Sequence, residues 1–101
     1  MSNPLRPSCV LCALKHIGQA RALLLEARQG YAPFWFYALG HLAESSDELV
    51  LDYEDVAGAV RAERKKLEAD PRYMPDFDAL VLLVSEATGY SVSEFLVGDG
   101  R

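Results

Sequence analysis

The segment CVLCALKHIGQARALLLEAR, residues 9–28, carries the pattern that decides the fold. Its apolar residues recur at intervals of three or four, which is the spacing of one face of an α-helix: Ala13, Ile17, Ala20, Leu24 and Ala27. Ser8 stands where a helix N-cap is expected, and Gly30 stands where a helix commonly ends. The segment therefore predicts a long helix from about Cys9 to Arg28 whose apolar face packs inward.

A second helix is expected directly afterwards, because Pro33 suits the first turn of a helix. It should run to about Asp52 and bury an apolar stripe made of Trp35, Ala38, Leu39, Leu42, Leu49 and Val50. The link between the two helices is short. This favours an antiparallel helical hairpin.

The second half of the chain predicts two further helices. One runs over about 54–69, and the other over about 76–88, and their inward residues are Val56, Val60, Leu67, Phe77, Leu80, Val81 and Val84. Ser91 and Glu94 form a capping box for one last turn. We therefore expect one all-α domain over residues 1–101, a small bundle of about four helices. Residues 1–7 should be an extended lead-in and residues 98–101 a flexible tail.

Composition and charge exclude several classes of protein. The chain has 101 residues, half of them apolar, and a formal net charge of −5. A nucleic-acid-binding protein needs a basic surface, so we expect no nucleic-acid partner. The longest apolar runs are too short to span a bilayer, so we expect no membrane partner. The N-terminus has no apolar segment after a basic start, so we expect a cytoplasmic protein without a signal peptide.

The spacing Cys9-x2-Cys12-x3-His16 is the most informative chemical feature. These three residues share a narrow stripe of the first helix, and Cys12 and His16 are an i, i+4 pair. Thiolates and imidazoles are the ligands that zinc prefers. The chain has one other histidine, His41, on the facing helix. The prediction is a closed, structural zinc site made of Cys9, Cys12, His16 and His41, which pins the hairpin together.

Other arrangements stay open at this stage. In a straight antiparallel hairpin His16 lies level with Ser45, about four residues or roughly 6 Å from His41. Glu44 would then be nearer and could be the fourth ligand, or a water could complete the site. Alternatively, the cysteines and histidines are ordinary residues of the core and its edge. A redox dithiol is a third interpretation, although no βαβ pattern surrounds the cysteines.

An acidic face on the second helix allows a catalytic hypothesis. Its members share one side of that helix: Tyr37, His41, Glu44, Glu48 and Asp52. Such faces usually contact water. If the metal keeps an open position, however, Glu44 or Glu48 could act as a general base beside it.

Four consecutive aromatic residues, 34–37, begin the second helix. At 100° per residue they point in four directions, so one small core cannot readily cover them all. Exposed aromatic clusters often mark contact surfaces. We expect this segment to contact a second copy of the chain or another protein, although a buried end turn is the alternative.

The segments CVLCALKH, residues 9–16, and GHLAE, residues 40–44, together resemble a group of short phage- and prophage-borne helical proteins. Those proteins have a CxxCxxKH segment followed by a GHLAEA-like segment; here Ser45 and Ser46 stand where a further alanine or acidic residue is expected. The resemblance implies that the two segments pair, that His41 belongs to the site, and that the role is a phage accessory one. The expected function is a zinc-stabilised binding or regulatory module acting on a host protein or small ligand. The alternative is a zinc-dependent hydrolase.

Overall fold

A computed structural model describes residues 8–96 of the chain. This part is all-helical: α1 is Val10–Arg28, α2 is Phe34–Leu49, α3 is Glu54–Ala69, α4 is Phe77–Thr88, and a 3-10 turn is Ser93–Phe95. The predicted small helical bundle is confirmed at this level. The predicted lead-in over 1–7 and tail over 98–101 lie outside the described residues. Within residues 8–96, no helix combines the length and the apolarity needed to cross a membrane.

Helix α1 ends where its glycine permits a reversal of the chain. Gly30 has a φ of +121°, a region that L side chains rarely adopt. The Gly30 N–H donates to the Ala27 carbonyl, and the Tyr31 N–H donates to the Glu26 carbonyl. This pair of bonds is a Schellman motif, which satisfies the last carbonyls of the helix. The predicted C-terminal signal at Gly30 is therefore confirmed.

Helices α1 and α2 form the antiparallel hairpin. Contacts across it pair rising residue numbers on the α1 side with falling numbers on the α2 side: Ser8 with Asp52, Ala13 with Ser45, and His16 with His41. Ser45 is fully buried, and its hydroxyl donates to the Ala13 carbonyl at 3.0 Å. Small side chains at this contact let the two helices approach closely.

The other two helices close the bundle. Helix α3 packs mainly on α2, α4 packs mainly on α1, and α3 contacts α4. The buried core draws on all four helices, and its fully buried aliphatic residues larger than alanine include Leu14, Leu24, Leu42, Leu49, Val60, Leu67 and Val84. Most of the predicted inward residues lie in this core. Val50 is an exception at 37% exposure, because α2 ends at Leu49 rather than at Asp52.

The predictions of two helix caps are wrong. The N-cap of α1 is Cys9 rather than Ser8, and its Sγ accepts the Cys12 N–H at 3.2 Å. Ser8 instead exchanges hydrogen bonds with Asp52, its N–H donating to Asp52 Oδ2 and its hydroxyl accepting the Asp52 N–H. Near the C-terminus, the 3-10 turn begins after Val92, and no side chain caps it, so the predicted capping box at Ser91 does not form.

Candidate metal centre

Potential metal ligands occupy two facing rows in the hairpin. On α1 and its N-cap the row is Cys9, Cys12 and His16; on α2 it is His41, Glu44 and Glu48. Both rows have intervals of three and four residues, which keeps each row on one helical face. Because the helices are antiparallel, the rows meet in reverse order. The ligand atoms consequently fall into two groups rather than one.

The first group, which we call the His/Glu group, consists of His16, His41 and Glu44. The two Nδ1 atoms lie 2.9 Å apart. Glu44 Oε1 lies 3.3 Å from His16 Nδ1 and 3.5 Å from His41 Nδ1. Three ligand atoms from two helices thus form a small triangle.

The dimensions of this triangle match those of a zinc site. Zinc binds imidazole nitrogen and carboxylate oxygen at about 2.0–2.1 Å in a tetrahedron, whose edges are then about 3.3 Å long. The three measured separations, 2.9, 3.3 and 3.5 Å, bracket that edge. The donor set of two imidazoles and one carboxylate is one that zinc uses when a fourth position is left for water or another ligand.

The surroundings of the group suit an ion at the protein surface. The imidazole side chains of His16 and His41 are 25% and 27% exposed, whereas Glu44 is 59% exposed. The rings stack with their centroids 5.1 Å apart. When no cation is shared, one Nδ1 must donate a proton to the other, because two lone pairs at 2.9 Å repel each other. A bound cation removes that requirement, since both lone pairs can point at it.

The second group, which we call the Cys/Glu group, consists of Cys9, Cys12 and Glu48. Their ligand atoms lie within 4.8 Å of one another, and all three residues are partly buried. In the structure the two sulfurs are joined as a disulfide. A disulfide sulfur is not the thiolate that binds zinc, so this group offers two thiolates only after reduction.

The four predicted ligands are therefore divided between neighbouring groups. His16 and His41 meet, and Glu44, the alternative fourth ligand, joins them. Cys9 and Cys12 meet each other one helical turn away, together with Glu48. The closed four-residue site stays a prediction. A straight hairpin would separate His16 and His41 by roughly 6 Å along the helix axis. In the structure their rings are nevertheless in contact, with the two Nδ1 atoms 2.9 Å apart.

Glu48 is a ligand candidate in the structure, whereas the sequence pattern predicts it only as a possible general base. Its signal was the interval pattern: residues 41, 44 and 48 repeat the 3-then-4 spacing of residues 9, 12 and 16. Because the two helices are antiparallel, the equal spacing places Glu48, the last residue of the α2 row, beside Cys9 and Cys12, the first residues of the α1 row.

A groove of about 410 Å³ borders the His/Glu group. It is lined by Leu23, Phe36, Tyr37, Gly40, His41 and Glu44. Gly40 leaves its floor open, since a Cβ there would meet no atom within 4 Å. A ligand in this groove would touch both the potential metal ligands His41 and Glu44 and the aromatic residues at the start of α2.

The aromatic residues at this end of the hairpin are largely solvent-facing. Tyr31, Phe36 and Tyr37 are 57%, 66% and 58% exposed, and Phe34 stacks between Tyr31 and Tyr37. We call these four residues the aromatic surface. Trp35 differs, because it packs against the core and its Nε1–H donates to the Leu67 carbonyl at 3.3 Å.

Comparison with known proteins adds no relative. No protein-family model matches the chain, and neither the curated proteins nor the solved structures give a match. The resemblance to short phage proteins and the phage role it implies stay predictions.

Proposed function

We propose that this protein is a metal-binding helical module in which the His/Glu group holds a zinc-type ion and thereby fixes the hairpin. The observation that carries the proposal is the triangle of Nδ1, Nδ1 and Oε1 atoms at tetrahedral-edge distances. A metal that joins α1 to α2 would suit a chain of 101 residues, because small domains have little core to stabilise them.

The module would use its metal to hold a binding surface. The groove beside His41 and Glu44 continues into the aromatic surface through Phe36 and Tyr37. Fixing α2 against α1 therefore also fixes the orientation of these two rings. This supports a binding or regulatory role in which the occupied metal centre keeps the surface in one conformation.

Metal titration under oxidising conditions tests the proposal, because the thiols cannot then contribute. Isothermal titration with zinc should give one ion per chain. His16→Ala and His41→Ala should each weaken binding at least about 100-fold, since removing a ligand does more than removing its supporting contacts. Glu44→Gln should weaken it less. Glu86→Gln, an exposed carboxylate on α4, is the matched control and should leave the titration unchanged. Unaltered binding in both histidine variants would overturn the proposal.

We propose further that the aromatic surface mediates association, with a second copy of the chain as the first partner to test. An adjoining cleft of about 490 Å³, lined by residues that include Trp35, Phe36 and Pro71, could receive an apolar side chain. Light scattering over a concentration series should show self-association of the natural chain. Phe36→Ser should abolish it, whereas Leu82→Ser, which removes an exposed leucine from α4, should not. A monomer at every concentration would contradict the homo-oligomer.

A zinc-dependent hydrolase is the second candidate, favoured by the three-ligand group and its adjoining groove. It is the weaker of the two, because Glu44 lies at ligand distance from both imidazoles and is then not available as a base. Glu48 remains as the base. Zinc-loaded protein assayed with chromogenic esters would show turnover that Glu48→Gln abolishes, and absence of turnover would leave the binding module.

A further inference from the structure

The Cys/Glu group lies one helical turn from the His/Glu group along the same seam. Cys12 precedes His16 by four residues on α1, and Glu48 follows Glu44 by four residues on α2. Each step is about 6 Å along its helix. The two groups therefore stand side by side and share no residue. The geometry therefore fits two separate metal sites better than one site that combines all six residues.

Local structure fixes the position of the Cys/Glu group independently of any metal. The reciprocal hydrogen bonds between Ser8 and Asp52 tie the chain just before α1 to the chain just after α2. This holds Cys9 beside the last turn of α2, where Glu48 lies. Cys9 Sγ also accepts the Cys12 N–H, so one sulfur is oriented at the helix N-terminus. Such a position favours a thiolate, because unpaired N–H groups and the helix dipole stabilise negative charge.

The donor chemistry of the two groups is different. Two thiolates and a carboxylate form a soft, strongly anionic set, which suits zinc and similar thiolate-binding ions. The His/Glu group carries less charge and no sulfur. An ion in one group would therefore not replace an ion in the other, and the soft set exists only when the disulfide is open.

We propose that Cys9, Cys12 and Glu48 form a second metal site, a thiolate site that a zinc-type ion occupies only when the cysteine pair is reduced. The chain would then carry one ion when oxidised and two when reduced. This goes beyond the single ion of the proposed function. It also makes the metal content of the hairpin respond to the redox state of its surroundings.

A phosphine can reduce the Cys9–Cys12 disulfide and so open the thiolate site. The S–S bond takes up two electrons and two protons and becomes two thiols, while the phosphine takes the oxygen of a water molecule and becomes a phosphine oxide. Binding of the ion then displaces the two thiol protons into solvent. A dithiol reductant is avoided, because it would itself bind zinc.

The test is a cobalt titration of the full chain, oxidised and phosphine-reduced, after removal of excess reductant. Cobalt replaces zinc in such sites and gives a thiolate-to-metal charge-transfer band only when sulfur is bound. We expect one cobalt per oxidised chain without that band, and two per reduced chain with it. Cys12→Ser and Cys9→Ser should each remove the band, and Glu48→Gln should weaken the second ion about 10-fold or more. Circular dichroism would confirm that these variants stay helical.

A double variant, His16→Ala with His41→Ala, separates this inference from the proposed function. The reduced double variant should keep the charge-transfer band and bind one ion, even if the His/Glu group has been lost. If the reduced natural chain instead binds a single ion, and the double variant loses the band, one site shares all four cysteine and histidine side chains and the second site is wrong. A reduced chain without the band also overturns the inference.

Discussion

The α1–α2 hairpin and the α3–α4 half of the molecule differ in the chemistry of the side chains that they carry. Every cysteine and histidine of the chain lies in the hairpin or at its N-cap. The α3–α4 half has none, and its polar contacts include helix caps and surface pairs, such as that of Asp76 with the Ala79 N–H. Within residues 8–96, both groups of potential metal ligands lie in the hairpin, whereas the other half supplies apolar surface that packs against it.

Several side-chain hydrogen bonds connect the two halves, in addition to the packing of α3 on α2. The Arg28 guanidinium, at the end of α1, donates to the Tyr73 carbonyl at 2.7 Å and to the Pro71 carbonyl at 3.3 Å. Within the second half, the Tyr73 hydroxyl donates to Glu63 Oε1 at 2.5 Å, and this hydrogen bond raises the pKa of Tyr73. The α3–α4 connection is thus fastened both to the hairpin and to α3.

Removing core volume from the hairpin should have the largest effect. Leu42 is fully buried between α2 and its neighbours, so Leu42→Ala should lower the free energy of unfolding by about 2–5 kcal/mol. Leu82 on α4 is 49% exposed, and Leu82→Ala should cost less than about 1 kcal/mol. Urea unfolding followed by circular dichroism measures both. Equal losses would contradict the burial of the Leu42 side chain in the core.

Zinc should stabilise the folded chain, and this stabilisation should depend on the metal-ligand candidates of the hairpin and not on residues of α3 or α4. If the ion binds only the folded chain, as proposed, the free energy of unfolding should rise by about 2.7 kcal/mol at a free zinc concentration of 100 times Kd. His41→Ala should lose this increment, whereas Glu86→Gln should retain it. Hydrogen exchange sharpens the comparison: added protection should be greatest in α1 and α2. Protection confined to α4 would place the ion elsewhere.

The N-caps of α1 and α4 allow a comparison of the two halves in which smaller changes in stability are expected. Asp76 Oδ1 accepts the Ala79 N–H at 3.0 Å, so Asp76→Ala should cost about 1 kcal/mol in the free energy of unfolding. At α1 the cap is a sulfur, and serine is a preferred capping residue. We therefore expect Cys9→Ser to leave α1 as stable as before, compared with the reduced natural chain. A loss matching that of Asp76→Ala would show that the sulfur has a further structural role.

The smallest expected effect is a gain. Gly40 lies within α2, where a new Cβ would meet nothing within 4 Å, so Gly40→Ala should raise the free energy of unfolding by about 0.5–1 kcal/mol. Gly89 has a φ of +76° at the end of α4, and Gly89→Ala should instead be destabilising. Thermal unfolding distinguishes the two signs. A destabilising Gly40→Ala would indicate that the groove beside His41 closes on something at this position.

Much of the architecture was readable from local pattern. Helix α3 spans the predicted residues 54–69, and the predicted inward residues of α4 are buried. The predicted helix ends differ from the observed ones at the start of α1 and at the end of α2. Ser8 has the chemistry of an N-cap, but its hydroxyl accepts a hydrogen bond from Asp52 across the hairpin, and Cys9 takes the cap. Val50 continues the apolar stripe, but α2 has already ended.

The sequence by itself determined which residues share a helical face, because a helix repeats every 3.6 residues whatever surrounds it. It thereby determined the four helices and the two rows of potential metal ligands on α1 and α2. Only the tertiary structure decided how the rows meet. The turn at Gly30, the close contact at Ser45 and the tie between Ser8 and Asp52 set the relative position of the two helices. That position brings Glu44 to the histidines and Glu48 to the cysteines.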